Sequence, residues 1–98
     1  MKRIRFEWDA RKAAANLRKH GVSFEEARTV FLDENALLRP DEDHSDDEDR
    51  FLLLGLGARL RTLVVCHCYR QKDEVIRLIS ARKANSDERQ QYDDRRIR

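Results

Sequence analysis

The sequence predicts an α+β fold: a small antiparallel sheet, two helices after the first strand packed on one face of it, and a C-terminal helix. Apolar residues recur at helical spacing over residues 10–31 and in strand-like runs over residues 51–79. The 98 residues are 40% hydrophobic and 41% charged, which allows one modest core under a highly charged surface. We therefore expect a single domain over residues 1–98 in the order β-α-α-β-β-β-β-α.

The first strand is predicted from residues 4–8, where apolar and charged side chains alternate in the stretch IRFEW. This pattern indicates an edge strand with one buried face. Asp9 can then cap a helix that ends at Gly21. The apolar face of this helix is predicted to consist of Ala10, Ala13, Ala14 and Leu17.

The second helix begins at the stretch SFEE, in which Ser23 can cap the helix and Glu26 can reach back to the cap. Its buried side is predicted to consist of Phe24, Ala27, Val30 and Phe31.

Three strands are predicted in the second half of the chain, in the stretches RFLLLGLG, RTLVVCHCYR and EVIRLIS, with ALLRP as a short strand before them. Gly55 and Gly57 are expected to permit the turn at residues 57–59, and a second turn is expected at residues 71–73. The last helix is predicted from Asn85, with Glu88 three residues later, but it has almost no apolar face.

Charge is strongly segregated along the chain. Residues 1–30 have a net charge of +4, residues 31–49 of −8 and residues 50–98 of +6. Two basic regions separated by an acidic loop favour a polyanion as partner, although an acidic protein would also fit.

Two cysteines, Cys66 and Cys68, occur within an apolar run and point to the same side of a strand. We interpret them as free thiols of the core, and we predict no metal and no cofactor.

The first residues, MKRIRFEWD, lack the apolar segment of a signal peptide, and no apolar run approaches 18 residues. We expect a soluble, cytoplasmic protein without a membrane contact.

Two polar residues interrupt apolar rows of the predicted strands. His67 is either buried and bonded to the backbone or a group that titrates near neutral pH. Arg77 either pairs with Glu48 or Glu74, or binds phosphate in a bidentate manner. Strict alternation would place Val75, Arg77, Ile79 and Ala81 on one face of the last strand. Ile76, Leu78, Ser80 and Arg82 would then lie on the opposite face.

Two further groups could carry chemistry. His44, Glu48 and Arg50 form either a solvated loop or an acid–base pair with a cation that stabilises a phosphate. The second group consists of Arg82, Lys83, Glu88 and Tyr92. Its helix is either a solvated helix that docks through Tyr92, or it supplies, with the end of the last strand, the groups needed to cleave RNA. Tyr92 could also stack on a base. The residues alone leave these alternatives open.

Three stretches together resemble the BrnT family, the toxins of type II toxin–antitoxin pairs: FEWDARKAAANLRKHGVSFEEARTVFLDENALL, HSDDEDRFLLLGLG and VIRLISARKANSDERQQY. The matching motifs occur in the same order over nearly the whole chain. The resemblance implies a RelE-like ribonuclease fold, metal-independent cleavage of mRNA and inhibition of growth. It also implies neutralisation by a BrnA-type antitoxin as a dimer of heterodimers, with DNA bound only through the antitoxin.

The resemblance also implies site residues. Those of the last motif are Arg77, Ser80, Arg82, Lys83, Glu88 and Tyr92, and those of the middle motif are His44, Glu48 and Arg50. We assign RNA contacts to Arg77, Arg82 and Lys83, together with Lys12 and Lys19 of the first helix. The alternative function is a non-catalytic module that binds an antitoxin and acts in autoregulation of its operon.

Overall fold

The computed structural model describes residues 4–42 and 49–97, and the order of its elements agrees with the prediction. The strands are β1 (Arg5–Glu7), β2 (Leu37–Pro40), β3 (Phe51–Leu56), β4 (Thr62–Arg70) and β5 (Val75–Lys83). The helices are α1 (Ala10–His20), α2 (Phe24–Thr29), which continues as a 3-10 turn over Val30–Leu32, and α3 (Ser86–Ile97). None of the helices in the described ranges is long and apolar enough to cross a membrane.

The five strands form one sheet in the order β1-β5-β4-β3-β2. β2 to β5 form the predicted antiparallel meander, and β1 lies at the edge as predicted. However, β1 pairs with β5 in parallel, so the sheet is mixed and the prediction of a purely antiparallel sheet is wrong. The reason is that α1 and α2 carry the chain away from β1, and the meander returns to it with its last strand running in the same direction.

The larger core lies between α1, α2 and one face of the sheet, which we call the helix-covered face. The helical segment contributes Val22, Phe24, Ala27 and Val30, and the sheet contributes Leu53, Leu63, Val65, Ile76, Leu78 and Ala81. Each large apolar side chain buried in this way contributes about 1.5–3 kcal/mol. The predicted apolar side of the second helix is thus correct.

Both ends of α1 are capped as predicted. The Asp9 carboxylate accepts hydrogen bonds from the first backbone N–H groups of the helix, and Gly21 follows it with a φ of 69°. The buried face of α1 is rotated relative to the predicted one, so that prediction is wrong: Leu17 is 51% exposed while Asn16 is buried.

Asn16 is buried because its amide completes the backbone pairing of β5. Its Nδ2 donates to the carbonyl of Ala81 at 2.8 Å, and its Oδ1 accepts from the N–H of Ala81 at 3.0 Å. β1 pairs with β5 only as far as Arg77, so the edge of β5 beyond that point needs another partner. Asn16 therefore acts as a substitute for a strand.

α2 has the predicted cap, since the Ser23 hydroxyl accepts from the N–H of Glu26 at 3.0 Å. The expected return contact of Glu26 is not made. Instead, the buried carboxylate of Glu26 pairs with Arg61, whose Nε donates to it at 3.0 Å. This hydrogen bond raises the pKa of Arg61. The ion pair ties α2 to the start of β4.

Gly55 has a different role from the one predicted, whereas Gly57 lies at the turn as expected, and its carbonyl accepts from the N–H of Leu60 at 2.9 Å. Gly55 lies inside β3, and a Cβ atom there would be 2.9 Å from Cγ1 of Val30, so this glycine permits close packing of the 3-10 turn. In the turn before β4, the residue with a positive φ is Leu60, at 63°. The turn at residues 71–73 is as predicted, and all three of its residues have a positive φ.

A β-bulge interrupts the pairing of β4 with β5. Cys66 pairs with Ser80 and His67 with Leu78, which leaves Ile79 as an extra residue of β5. The predicted strict alternation is therefore wrong beyond this point. Ile76, Leu78 and Ala81 all face α1 and α2, whereas Arg77, Ser80 and Arg82 all lie on the opposite face.

α3 covers part of that opposite face. A reciprocal capping pair of Asn85 and Glu88 begins the helix as predicted, with both side-chain-to-backbone hydrogen bonds at 2.8 Å. Tyr92 is the buried residue of α3, and it forms a small second core with Leu54, Val64 and Ala84.

Candidate functional site

The part of the sheet face left open by α3 contains a pocket to which β2, β4, β5 and the entry of β3 all contribute. The backbone N–H of Asp41 donates to the carbonyl of Arg50 at 2.8 Å, which extends the β2–β3 ladder and places both side chains on this face. The pocket has a volume of about 300 Å³. We call it the arginine pocket, and it is lined by Asp41, Arg50, Leu52, Cys66, Ile79, Ser80 and Arg82.

Arg82 is the more accessible cation of the pocket, with 42% of its side chain exposed. Its Nη1 and Nη2 donate to the two carboxylate oxygens of Glu88 at 2.7 Å and 2.9 Å. The hydrogen bonds with Arg82 lower the pKa of Glu88, and those with Glu88 raise the pKa of Arg82. Both groups are therefore charged at neutral pH.

Arg50 is the second cation of the pocket and is half-buried. Its Nε is buried and has no hydrogen-bond partner within the part of the chain that the structure describes. A buried donor without an acceptor costs about 1–3 kcal/mol. An anionic ligand in the pocket would offset this cost.

The floor of the pocket is not nucleophilic. The Cys66 thiol donates to Asp41 Oδ2 at 3.7 Å, and burial, followed by the charge of Asp41, raises the pKa of Cys66 to about 11. The thiol is therefore protonated at neutral pH. Cys66 and Cys68 are buried, as predicted, and no disulfide joins them. Within residues 4–42 and 49–97, no group of three or more His, Cys, Asp or Glu side chains could hold a metal ion.

Arg77 lies apart from the pocket, near β1. Its Nη1 donates to Glu7 Oε2 at 2.7 Å. Parallel pairing places Glu7, rather than the expected Glu74, directly beside Arg77, and the other expected partner, Glu48, lies outside the described residues. Arg77 shares a sheet face with Arg82 but does not line the same pocket.

Tyr92 is in the second core rather than at the pocket surface. Its hydroxyl donates to Asp33 Oδ2 at 2.5 Å, and burial together with this carboxylate raises its pKa to about 12. A ring in this position cannot stack a base while α3 is docked. The geometry supports the docking role, and the catalytic role of Tyr92 stays a prediction.

The remaining predicted residues are dispersed. Lys83 is exposed at the end of β5, and its pairing with Leu63 places it on the helix-covered face, opposite Arg82. Lys12 and Lys19 are exposed on α1, which packs on the helix-covered face. His44 and Glu48 lie outside the described residues.

His67 is on the helix-covered face and is fully buried. Its Nδ1 is 3.1 Å from the carbonyl oxygen of Val65, and its ring packs edge-on against Phe31 with centroids 4.8 Å apart. Burial lowers its pKa, so the ring is neutral at physiological pH. The structure supports the first alternative, a buried histidine bonded to the backbone.

Sequence reasoning missed two polar members of the pocket, Asp41 and Cys66, and it separated Arg77 from Ser80 and Arg82. A signal for the bulge was present. The adjacent apolar residues Leu78 and Ile79 interrupt the alternation, and one extra residue at this point places Arg77, Ser80 and Arg82 on one face.

Comparison with known proteins identifies the family. The family model described as the ribonuclease toxin BrnT of type II toxin–antitoxin systems matches residues 8–88. The chain belongs to the BrnT family. BrnT toxins are ribonuclease toxins, and membership implies RNA as substrate and a protein antitoxin as partner.

A solved structure of a BrnT protein has a similar fold. It is the 1.1 Å crystal structure of the ribonuclease toxin BrnT from Brucella abortus. The TM-score is 0.66 and the sequence identity is 24%, with 85% of this chain and 99% of that chain covered. No curated protein sequence matches this chain.

Proposed function

We propose that the chain is a metal-independent endoribonuclease toxin of the cytoplasm, and that the arginine pocket binds the scissile phosphate. The observation that carries this proposal is the convergence of Arg50 and Arg82 beside Ser80 on the open face of the sheet. Family membership supplies the substrate class, because BrnT toxins are ribonucleases.

The proposed reaction needs no external nucleophile. A base removes the proton of the 2′-OH, whose oxygen attacks the adjacent phosphorus, and the bond from phosphorus to the 5′ oxygen breaks. The products are a 2′,3′-cyclic phosphate and a 5′-OH, which receives its proton from an acid. Two guanidinium groups can stabilise the negative charge that develops on the phosphorane oxygens. This is the basis for proposing that catalysis is metal-independent and RelE-like.

The acid and base are proposed from the sequence motif. His44 and Glu48 precede Arg50 by six and two residues, and an imidazole and a carboxylate are suitable groups for the two proton transfers. Lys83, exposed at the end of β5 where the strand leaves the sheet, is proposed to contact a flanking phosphate.

The proposed partner is a BrnA-type antitoxin that neutralises the toxin, forms a dimer of heterodimers with it and carries the contacts to DNA. Membership in a family of type II toxins supports a protein antitoxin. The net charge of −8 over residues 31–49 favours a basic surface on that antitoxin.

The test is induction of this chain alone in a bacterial host, followed by measurement of growth and total RNA integrity. The comparison uses Arg82→Ala and a matched control, Arg59→Ala, which removes an exposed arginine from the turn before β4. We expect growth arrest and RNA loss for the wild type and for Arg59→Ala, and neither for Arg82→Ala at equal abundance of folded protein.

Two results would contradict the proposal. Normal growth with intact RNA from folded wild-type protein would favour the non-catalytic module. RNA cleavage by purified protein that stops in a chelator and returns with a divalent cation would overturn metal independence.

A further inference from the structure

Glu88 and Arg82 form a two-bond polar contact next to the arginine pocket. Glu88 occupies the Nη1–Nη2 end of the guanidinium, which decides which N–H groups of Arg82 are left for a ligand. A guanidinium has five N–H groups. Nη1 donates to Glu88 Oε1 at 2.7 Å and approaches the carbonyl oxygen of Lys83 at 3.4 Å, while Nη2 donates to Glu88 Oε2 at 2.9 Å. Among residues 4–42 and 49–97, no group accepts from the Nε–H or from the second N–H of Nη2, and these two lie on one edge of the planar group.

That remaining edge has the geometry of a phosphate site. Two parallel N–H groups of one arginine match two oxygens of a phosphate, which gives a bidentate contact. We propose that Glu88 is a positioning residue, which holds Arg82 by the end of its guanidinium and leaves the Nε–Nη2 edge for two phosphate oxygens of the RNA backbone. This inference rests on the proposed function of the arginine pocket.

Glu88 is itself held rigidly, as a positioning residue must be. Its Oε1 also accepts the N–H of Asn85 at 2.8 Å, and its own N–H donates to the side chain of Asn85 at 2.8 Å. Its side chain is only 19% exposed. The helix that carries it is docked through the buried ring of Tyr92.

The same contacts argue against two other roles for Glu88. As a general base it would be weak, because both of its oxygens accept hydrogen bonds from the Arg82 cation, which lowers the pKa of Glu88. As an inhibitory group it would have to cover the edge that binds phosphate, but it occupies the end of the guanidinium. The arrangement also gives the polar helix α3 a purpose, since its first turn orients the group that binds substrate.

The test is a double-mutant cycle on RNA cleavage with Glu88→Gln and Arg82→Ala. Glutamine keeps the size of the side chain and the acceptor of the helix cap, but it removes the charge that fixes Arg82. The matched control is Asp87→Asn, which changes the charge by the same amount at the exposed residue that precedes Glu88 in α3. The substrate is a single-stranded RNA oligonucleotide that the wild-type protein cleaves, measured in single-turnover reactions across pH.

We expect the single-turnover rate constant to fall about tenfold to a hundredfold in Glu88→Gln. Misplacing a reacting group by about 1 Å can cost about a hundredfold. In the Arg82→Ala background, the same change should have no further effect, and the shape of the pH–rate profile should not change. Asp87→Asn should stay within about twofold of the wild type, since loss of one screened surface charge has little effect on binding.

Three outcomes would overturn the inference. A further loss in the Arg82→Ala background, with loss of one limb of the pH–rate profile, would make Glu88 an acid or base. Faster cleavage by Glu88→Gln would mean that Glu88 competes with phosphate. Lower thermal stability with unchanged cleavage would leave Glu88 with a structural role alone.

The two proposals can fail separately. If the wild-type protein cleaves no RNA, the proposed function fails, and the cycle is repeated on affinity for a single-stranded RNA with 2′-O-methyl groups. Weaker binding by Glu88→Gln in the wild-type background but not in the Arg82→Ala background would still support positioning, and equal binding in both backgrounds would overturn it.

Discussion

The two faces of the sheet are built from the same strands but hold different kinds of groups. On the helix-covered face, Leu63 and Val65 are fully buried beneath the helices, together with Phe24 of α2. On the opposite face, Arg50, Ser80 and Arg82 line an open pocket, and α3 covers only the neighbouring part through Tyr92. The first face supplies most of the stability of the fold, and the second is free to carry charge.

One residue makes this division possible. Without the bulge at Ile79, alternation along β5 would turn either Arg77 or the pair of Ser80 and Arg82 into the apolar core. Burial of an unpaired guanidinium would cost more than a domain of this size can tolerate. The bulge therefore allows one strand to place apolar side chains in the core and polar side chains on the open face.

The largest expected effect is on the helix-covered face. Phe24→Ala removes a ring that is fully buried and packs edge-on against Trp8, with centroids 5.9 Å apart. We expect a loss of about 3–5 kcal/mol in the free energy of unfolding, measured by urea denaturation. The control on the same side of the molecule is the exposed Leu17→Ala, for which we expect at most about 0.5 kcal/mol. Equal effects of the two changes would contradict the packing described here.

A smaller effect is expected in the second core. Tyr92→Phe keeps the ring against Leu54 and Val64 but removes the hydroxyl that donates to Asp33. Because the acceptor is charged, we expect a loss of about 1.5–3 kcal/mol in thermal or chemical denaturation. Cleavage measured well below the midpoint of unfolding distinguishes the two roles of this residue. A large fall in the rate with unchanged stability would restore the catalytic role that the family resemblance implied.

The smallest expected effect is a pH dependence of stability at the edge of the pocket. The hydrogen bonds from Arg82 lower the pKa of Glu88 below its ordinary value of 4.5 in the folded protein. A group with a lowered folded pKa stabilises the fold above its unfolded pKa, and this contribution is lost as the pH falls through the folded pKa.

The wild type should therefore exceed Glu88→Gln in stability at neutral pH, and the difference should shrink as the pH falls below the ordinary pKa of 4.5 and vanish below the lowered folded pKa. Since Arg82 is partly exposed, solvent screening limits the difference to about 1 kcal/mol or less. Urea denaturation of both proteins at several pH values measures it. A difference that is constant with pH would contradict the ion pair.

The order of the elements could be predicted from the sequence because hydrophobic periodicity and helix caps are local signals. Asp9, Ser23 and Asn85 each cap the helix that was expected to follow them. The parallel pairing of β1 with β5 could not be predicted, since nothing in residues 5–7 states which distant strand will lie beside them. The buried position of Asn16 has the same origin, because its partner Ala81 is 65 residues away.

Three residues of the pocket were named from the sequence, but their arrangement was not. Arg50, Ser80 and Arg82 were named from motifs, and the structure brings them together. The bulge changed the parity of β5, so alternation assigned Arg77 to the wrong row. The positions of Lys12 and Lys19 depended on which face α1 would cover, which is a property of the assembled fold.

The most direct test of the account is the salt dependence of RNA binding for the two faces. A single-stranded RNA with 2′-O-methyl groups would be titrated at several salt concentrations with the wild type, Arg50→Ala/Arg82→Ala and Lys12→Ala/Lys19→Ala. Each phosphate contact contributes about 0.7 to the slope of log affinity against log salt for a single strand. We predict that the slope falls by about 1.4 when the two pocket arginines are removed and stays unchanged when the two α1 lysines are removed. The reverse result would place RNA on the helix-covered side and contradict the central claim.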